Sequence, residues 1–281
     1  KIPFDELEYI PYILTSIKND IEIYYKCTAK NNNLLLYINE LQGSNLNNIH
    51  YTIPNFPNRD HWFQKNVLYE LGIIKYHIIE KAPTTRVRDL MLLAMSSIIV
   101  QVSNQESETR YVSINKNIKP MDVFRLFRCK VLDMVDRIKK FNTIASDCDC
   151  KCYFADTRKI DFLDDNSVDL IITSPPYPNT YDYYLYHKLR MFWLDMSWAH
   201  MKDDEIGSRL RHSSLKQGIE YYLNDMKKCF LHFRRILKPK KYFVIVIGDS
   251  IIRGKLWKGN YIVKKLAEES DFIIKDTIDY S

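Results

Sequence analysis

From about residue 150 onward, strand-like and helix-like segments alternate. This predicts an α/β protein built on a parallel, doubly wound sheet. Two stretches carry the expectation. The short apolar run Ser167-Val168-Asp169-Leu170-Ile171-Ile172 reads as a buried parallel strand and stops abruptly at Thr173-Ser174-Pro175-Pro176-Tyr177. The long amphipathic stretch Ile219–Lys238 is followed by a second apolar run, Tyr242–Ile247. Upstream, helical periods dominate. The expected division is a mainly helical region over 1–147, terminal or inserted, and the α/β core over 148–281.

Taken in order, His61 to Lys81 has helical spacing, with Trp62, Leu71, Ile74 and Ile78 among its apolar positions. Val87 to Val102 is apolar nearly all round and predicts a buried helix. Ser103 to Pro120 is polar and reads as a loop. Met121 to Phe141 is amphipathic: Phe124, Phe127, Val131, Met134, Ile138 and Phe141 recur every three or four residues and read as core. Arg125, Arg128, Lys130, Arg137, Lys139 and Lys140 occupy the other faces. Lys151 to Ala155 reads as a strand with Asp156 at its end. Asp161, Asp164, Asp165 and Asp169 read as turn and solvent-facing charges. Leu185 to about Trp198 predicts a helix, and Ile219 to Lys238 another, stopped by Pro239. Gly248-Asp249-Ser250 caps the Tyr242–Ile247 strand. Asn260 to Ser270 then reads as a helix and Phe272 to Ile278 as a last strand. The right-handed crossover preference limits the topology.

Composition sets the bounds. The chain has 281 residues, enough for one large domain or two smaller ones. No uninterrupted apolar stretch of about 18 residues exists, which argues against a membrane span, and no signal-peptide pattern opens the chain. Of six cysteines, Cys148, Cys150 and Cys152 alternate, while Cys27, Cys129 and Cys229 are isolated. This is not zinc-ligand spacing, so no metal is expected and reduced thiols of a cytoplasmic protein are the reading. Net charge is +6, and residues 81–140 account for it with 12 Lys and Arg against 6 Asp and Glu. A local excess of that kind suits a polyanion. Arg110, Arg125 and Arg128 are the candidate contacts. The helical arginines suit phosphate, whereas Arg110, in a loop, suits phosphate or a base edge.

The Ser-Pro-Pro-Tyr corner carries the chemistry. Two prolines remove two backbone donors and stiffen the chain where the strand leaves the sheet. The loop also lies at the carboxyl end of a parallel strand, where open α/β sheets place their ligands. The corner resembles the catalytic loop of the amino-methyltransferases of DNA, and the resemblance implies an exocyclic base amine as its ligand, a poor nucleophile because its lone pair is delocalised into the ring. The Ser174 hydroxyl and the Pro175 carbonyl offer two acceptors for its two hydrogens, which favours sp³ character at nitrogen. Tyr177 offers a face on which an extruded base can stack. The tyrosines at 177, 181, 183, 184 and 186 are dense, and Tyr183 and Asp182 are candidates for the base pocket.

Through Tyr153-Phe154-Ala155-Asp156 and Thr173-Ser174-Pro175-Pro176-Tyr177, and again at Ile236-Leu237-Lys238-Pro239 and Val244–Ser250, the chain resembles the amino-methyltransferases of DNA. The resemblance covers most of 150–281. It implies a Rossmann-like class I methyltransferase sheet, S-adenosylmethionine as cofactor and double-stranded DNA as substrate. Ser174, Pro175, Pro176 and Tyr177 become the catalytic loop, with Asp156 and Thr173 on the cofactor side. The Thr-Ser-Pro-Pro-Tyr form implies cytosine N4 as the target. Adenine N6 is the alternative, and an RNA guanine-N2 enzyme a more remote one. A restriction-modification setting is implied too, with a cognate endonuclease as partner and a bacterial, cytoplasmic and nucleoid-associated location. Two departures stand out. No two of the seven glycines are spaced Gly-x-Gly, so the loop that cradles the cofactor's methionine part is missing. It is expected upstream of Lys1, or after Ser281 in a permuted order, or on a second polypeptide. A non-catalytic DNA-binding subunit that borrows a partner's cofactor loop therefore stays open. In addition, Lys238-Pro239-Lys240-Lys241 stands where the family has Lys-Pro-Gly-Gly, which is expected to change only a surface turn.

Overall fold

The computed structural model describes residues 2–31, 52–145, 149–210, 212 and 217–279. Cys148 lies outside them. The chain forms two units. One comprises Lys1–Asp149 with Tyr186–Trp198, and the other Cys150–Leu185 with Ala199–Ser281.

In the first unit, α1 (Phe4–Leu7), α2 (Ile10–Asn31), α3 (Arg59–Trp62), α4 (Lys65–Lys81) and α5 (Thr85–Val102) precede a hairpin, β1 (Gln105–Ser107) and β2 (Arg110–Ser113), and then α6 (Asp122–Ile144). The stretch expected to run as one helix from His61 is split because Phe63 is extended (φ −134°, ψ 133°). The polar stretch read as a loop holds the hairpin instead: Gln105 pairs with Ser113 and Ser107 with Arg110, antiparallel. The Thr84 hydroxyl accepts from the Val87 amide at 3.3 Å and caps α5. Val123, Phe124, Phe127 and Val131 of α6 enter the core, but the pattern does not hold to its end, where Phe141 is 57% exposed. Further along, α7 (Tyr183–Tyr186) leads to α8 (Lys188–Trp193), and Leu189 and Trp193 of α8 are fully buried in the core of this unit. The single helix expected over 185–198 is broken at His187 (φ −95°, ψ 0°) and ended by left-handed Asp195 (φ 54°).

A carboxylate organises this bundle. Met121, preceding α6, is left-handed (φ 67°) and gives the helix no side-chain cap. Glu70 of α4 supplies one from across the core. Its carboxylate accepts from the Met121 amide (2.8 Å), the Phe124 amide (3.0 Å) and the Tyr25 hydroxyl, while the residue is 0% exposed. Burial raises its pKa in spite of these three donors. Two further buried side chains are paired with carboxylates: Lys75 Nζ lies 2.7 Å from Asp195 Oδ2, and His77 Nε2 lies 2.7 Å from Asp20 Oδ2.

The second unit is an α/β layer. β3 (Val168–Thr173) pairs in parallel with β4 (Leu237–Ile245). The crossover between them ends in α9 (Ala199–Asp204) and α10 (Ile219–Ile236). The hairpin β5 (Ser250–Ile252) and β6 (Lys255–Trp257) follows, and α11 (Gly259–Glu268) closes the element order. One face of the parallel pair packs on α10: Ile171, Phe243 and Ile245 meet Phe230, Phe233, Met226 and Cys229, with Phe230 and Phe243 rings 5.1 Å apart. The other face is open. Leu170 is 50% exposed, Ile172 68% and Val244 45%, so β3 is only half-buried. The expected doubly wound sheet is present as this one parallel pair among the described residues. Lys151–Ala155 and Phe272–Ile278 form no strand. A strand needs a ladder partner, and among the described residues β3 and β4 pair only with each other. Phe272 nevertheless packs on Phe243 at 5.4 Å.

α10 stops at Ile236, before the proline. Pro239 instead falls in a bulge of β4, where Leu237 to Tyr242 faces only Val168 to Leu170. Lys240 is left-handed there (φ 63°), and Lys238 and Lys241 reach Asp169 at 2.7 and 3.2 Å. No helix among the described residues is long and apolar enough to cross a membrane.

The Glu70 cap generates a stability prediction. Glu70→Ala strands three buried donors and should cost about 3 kcal/mol or more. Glu70→Gln, which keeps one acceptor, should cost less. Urea unfolding would measure both, and a cost below about 1 kcal/mol for the alanine variant would mean that water replaces the carboxylate.

Candidate active site

β3 delivers its last residue, Thr173, into the sheet, where its carbonyl accepts from the Val246 amide at 3.0 Å. The next residues leave the ladder, because Pro175 and Pro176 have no N–H to give it. Ser174 is exposed, Pro175 and Pro178 are buried, and Pro176 and Tyr177 are half-buried. A tight turn follows, with the Thr180 amide donating to the Tyr177 carbonyl at 3.3 Å. Ser174 Oγ and the Tyr177 hydroxyl lie 3.5 Å apart, on the same side of the loop.

The loop is held from three directions. The Asn179 amide donates to the Gly207 carbonyl (2.8 Å), and the Asn179 side chain donates to the Ile251 carbonyl (2.7 Å). The Tyr222 hydroxyl of α10 donates to the Pro176 carbonyl at 2.9 Å. Gly207 is left-handed (φ +74°), and a Cβ there would lie 3.2 Å from Pro178 Cα and 3.1 Å from the Tyr222 ring. Under the motif lies Gly248, where an added Cβ would lie 3.1 Å from Tyr177 Cε2. The Tyr177 ring thus rests on bare backbone just beyond β4. Asp249 turns the chain there by accepting from the Gly259 amide at the start of α11 (2.8 Å).

Asp156 lies in a turn, not at a strand end. Its carboxylate oxygens both accept from Arg158, at 3.0–3.1 Å. Arg158 is itself tied to Asp225 of α10 (3.1 Å) and to the Asp204 carbonyl (2.9 Å). Burial alone would raise the Asp156 pKa, but the hydrogen bonds and charge of Arg158 hold it below the ordinary carboxylate range. For S-adenosylmethionine, Asp156 and Thr173 do not make a pocket by themselves. The carboxylate is already engaged, the Thr173 carbonyl is in the ladder, and no glycine cradle lies beside them.

Asp182 and Tyr183 are bound into the same loop system. Asp182 Oδ1 accepts from the Arg209 amide (2.8 Å), and Glu205 accepts from the amides of Tyr183 (2.7 Å) and Tyr184 (3.2 Å). Burial raises the Glu205 pKa. The Tyr183 ring stays partly exposed, 5.2 Å from that of Tyr181. Tyr184 and Tyr186 are buried and pack.

In the helical unit, the basic candidates are exposed but largely paired with their own neighbours. Arg110 lies on β2, not in a loop, and meets Glu106 at 2.9 Å. Along α6, Arg125 meets Asp122 (3.0 Å), Arg137 meets Asp133 (3.0 Å) and Lys140 meets Asp136 (2.7 Å). Arg128 and Lys139 are exposed and make no ion pair with another described residue. Cys150 and Cys152 are exposed free thiols.

Sequence reading missed Tyr222, Gly207 and Arg158, and took Gly248 only as part of the cap that ends the Tyr242–Ile247 strand. Tyr222 sits among core positions of α10 and carries no distinguishing pattern.

Gly248→Ala should displace the Tyr177 ring, since its Cβ would lie 3.1 Å from Cε2. The expected result is a loss of stability of about 1–2 kcal/mol, read from thermal or urea unfolding. An unchanged stability would mean that the ring swings clear.

Comparison with known proteins places the motif in context. A family model described as DNA methylase, of the N6/N4 type, matches residues 168–281. The Type II methyltransferase M.MjaI of Methanocaldococcus jannaschii is 36% identical over 100 residues, 36% of this chain and 33% of that protein. The chain thus spans about a third of the length of the curated relative that it matches. No solved structure matches the chain. Over residues 168–281, which hold β3, the proline loop, α10 and β4, the chain is similar to the N6/N4 amino-methyltransferases of DNA.

Proposed function

We infer that the chain forms the target-base side of a DNA amino-methyltransferase, with cytosine N4 as its preferred acceptor and adenine N6 as the alternative. The observation that carries this reading is the state of the loop's acceptors. The Pro176 carbonyl is occupied by Tyr222. Ser174 Oγ has only the distant Tyr177 hydroxyl, and the Pro175 carbonyl has no donor among the described residues. Two acceptors therefore remain for an amine with two hydrogens. Drawing both hydrogens into the loop concentrates the nitrogen lone pair on the opposite side, and Tyr177 supplies the stacking face. Ser at 174 supports cytosine over adenine by resemblance alone.

S-adenosylmethionine is the donor this reading calls for, supplying an electrophilic methyl group when bound. In this reading Asp156 and Thr173 face the cofactor only once further groups complete the site, and the strands and glycine loop of a Rossmann-like sheet would come from outside the described residues. The uncovered face of β3 and β4 supports that view, because parallel strands are ordinarily covered on both faces. The same open face favours a second reading, a subunit whose cofactor cradle belongs to another chain. Binding of S-adenosylmethionine by the isolated full-length gene product would separate the two. The helical unit is the proposed DNA-recognition region, acting in a bacterial, cytoplasmic, nucleoid-associated setting with a cognate endonuclease.

Two predictions test the reading. In the complete enzyme, Ser174→Ala and Tyr177→Ala should slow single-turnover methylation by about a hundredfold while changing DNA affinity little. Near-normal rates in both variants would remove the loop from catalysis. For the helical unit, Arg128→Gln with Lys139→Gln should flatten the salt dependence of DNA affinity by about one log-log unit per lost phosphate contact. Arg137→Gln should do less, since Asp133 already shares its charge. A slope equal to wild type for the first pair would make this face merely solvated.

A further inference from the structure

We propose that Tyr222 is a positioning residue for methyl transfer: its hydroxyl sorts the carbonyls of the Ser174–Tyr177 loop, leaving the Pro175 oxygen directed at the base amine. This rests on the reading of that loop as the catalytic one.

The two prolines leave carbonyls that no sheet ladder engages, so their directions must be set by something else. Tyr222 is 1% exposed, on the buried face of α10, and its hydroxyl meets the Pro176 carbonyl at 2.9 Å. The ring cannot tilt freely, because Gly207 approaches it so closely that an added Cβ would lie 3.1 Å from Cδ2. Gly207 also accepts the Asn179 amide at 2.8 Å, so both ends of the proline corner are pinned to the same wall. A buried tyrosine hydroxyl needs a partner, and packing alone would accept any carbonyl. What distinguishes this one is its place. Occupying the Pro176 oxygen fixes the Pro176–Tyr177 peptide plane, directly after the Pro175–Pro176 unit, and leaves one carbonyl, not two, for the substrate. With Ser174 Oγ, that makes the two acceptors an exocyclic amine requires. Without the Tyr222 hydroxyl, the Pro176 oxygen would compete for the same hydrogens and the loop could rotate between the alternatives.

The test is a double-mutant cycle in the complete enzyme, using S-adenosylmethionine and PCR-amplified, unmethylated genomic DNA. Tyr222→Phe keeps the ring and its packing. Its single-turnover rate should fall about ten- to hundredfold, with DNA affinity within about twofold of wild type and thermal unfolding shifted by only a few degrees. Ser174→Ala should fall further, and the double variant should be no slower than Ser174→Ala alone, because both changes act on one geometry. Incorporation of a ring-fluorinated tyrosine at 222, which keeps the donor, should restore the rate. A Tyr222→Phe rate within twofold of wild type overturns the proposal. So does a double variant whose losses simply multiply, which would mark Tyr222 as structural only. If Ser174→Ala itself is nearly as fast as wild type, the catalytic-loop reading fails and the role of Tyr222 falls with it. If Tyr222→Phe does not fold, two replacements at 222 decide: 4-aminophenylalanine, which keeps a para donor, should hold the single-turnover rate at least about tenfold above 4-fluorophenylalanine, which fills the same space without one, and equal rates overturn the proposal.

Discussion

The parallel pairing of Val168–Thr173 with Leu237–Ile245 is the constraint from which the second unit follows. Opposing Thr173 to Ile245 carries the chain into the proline corner at the same level as Gly248, and this is why Tyr177 can lie on bare backbone. The pairing is secured from one side by α10, whose aromatic residues Phe230 and Phe233 interlock edge-to-face with Phe243. Such ring pairs add about 0.5–1.5 kcal/mol each beyond their area burial. The same helix carries Tyr222 to the loop and Asp225 to Arg158. One element therefore supports the sheet, fixes the acceptor loop and anchors the acid that precedes β3.

What could be read from the sequence was whatever periodicity encodes. The β3 run, the buried α5 and the amphipathic α6 and α10 were visible because apolar spacing follows the face that packs. The lost predictions share a cause. Lys151–Ala155 and Phe272–Ile278 have strand composition, but strand formation depends on a neighbour, and composition does not announce whether one is present. The hairpins were missed for the opposite reason. Gln105–Ser107 and Arg110–Ser113 are short and polar, and Arg253-Gly254, both left-handed, is a weaker turn signal than Asn-Gly. The Ser-Pro-Pro-Tyr corner stood out in the sequence because prolines at a strand end have few structural uses. Its supports were not, because Tyr222 reads as one more core aromatic and Glu70 as one more helical acid.

Charge taught a similar lesson. The basic excess of residues 81–140 is real as a sum, yet Asp122, Asp133 and Asp136 sit three or four residues from the arginines and lysine they pair with. Spacing, more than the total, decides which cations are available to a partner. The Lys238–Lys241 turn also illustrates the point. Glycines in the related turns would meet the left-handed backbone without strain, while Lys240 meets it with a Cβ. The flanking Lys238 and Lys241 hold the bulge to β3 through Asp169.

The excursion of Tyr186–Trp198 into the helical unit bears on the order in which the protein is made. Leu189 and Trp193 fill the core of the helical unit, yet they are encoded after the proline corner. On the ribosome, the N-terminal helices cannot close their core as they emerge, although domains usually fold as units from the N-terminus. They must wait, apolar faces exposed, until residue 193 has left the exit tunnel, by which time the whole Ser174–Tyr177 loop has been synthesised. Premature termination anywhere before that point would release a helical bundle with a hole where an indole belongs, a species exposed to chaperones and proteases.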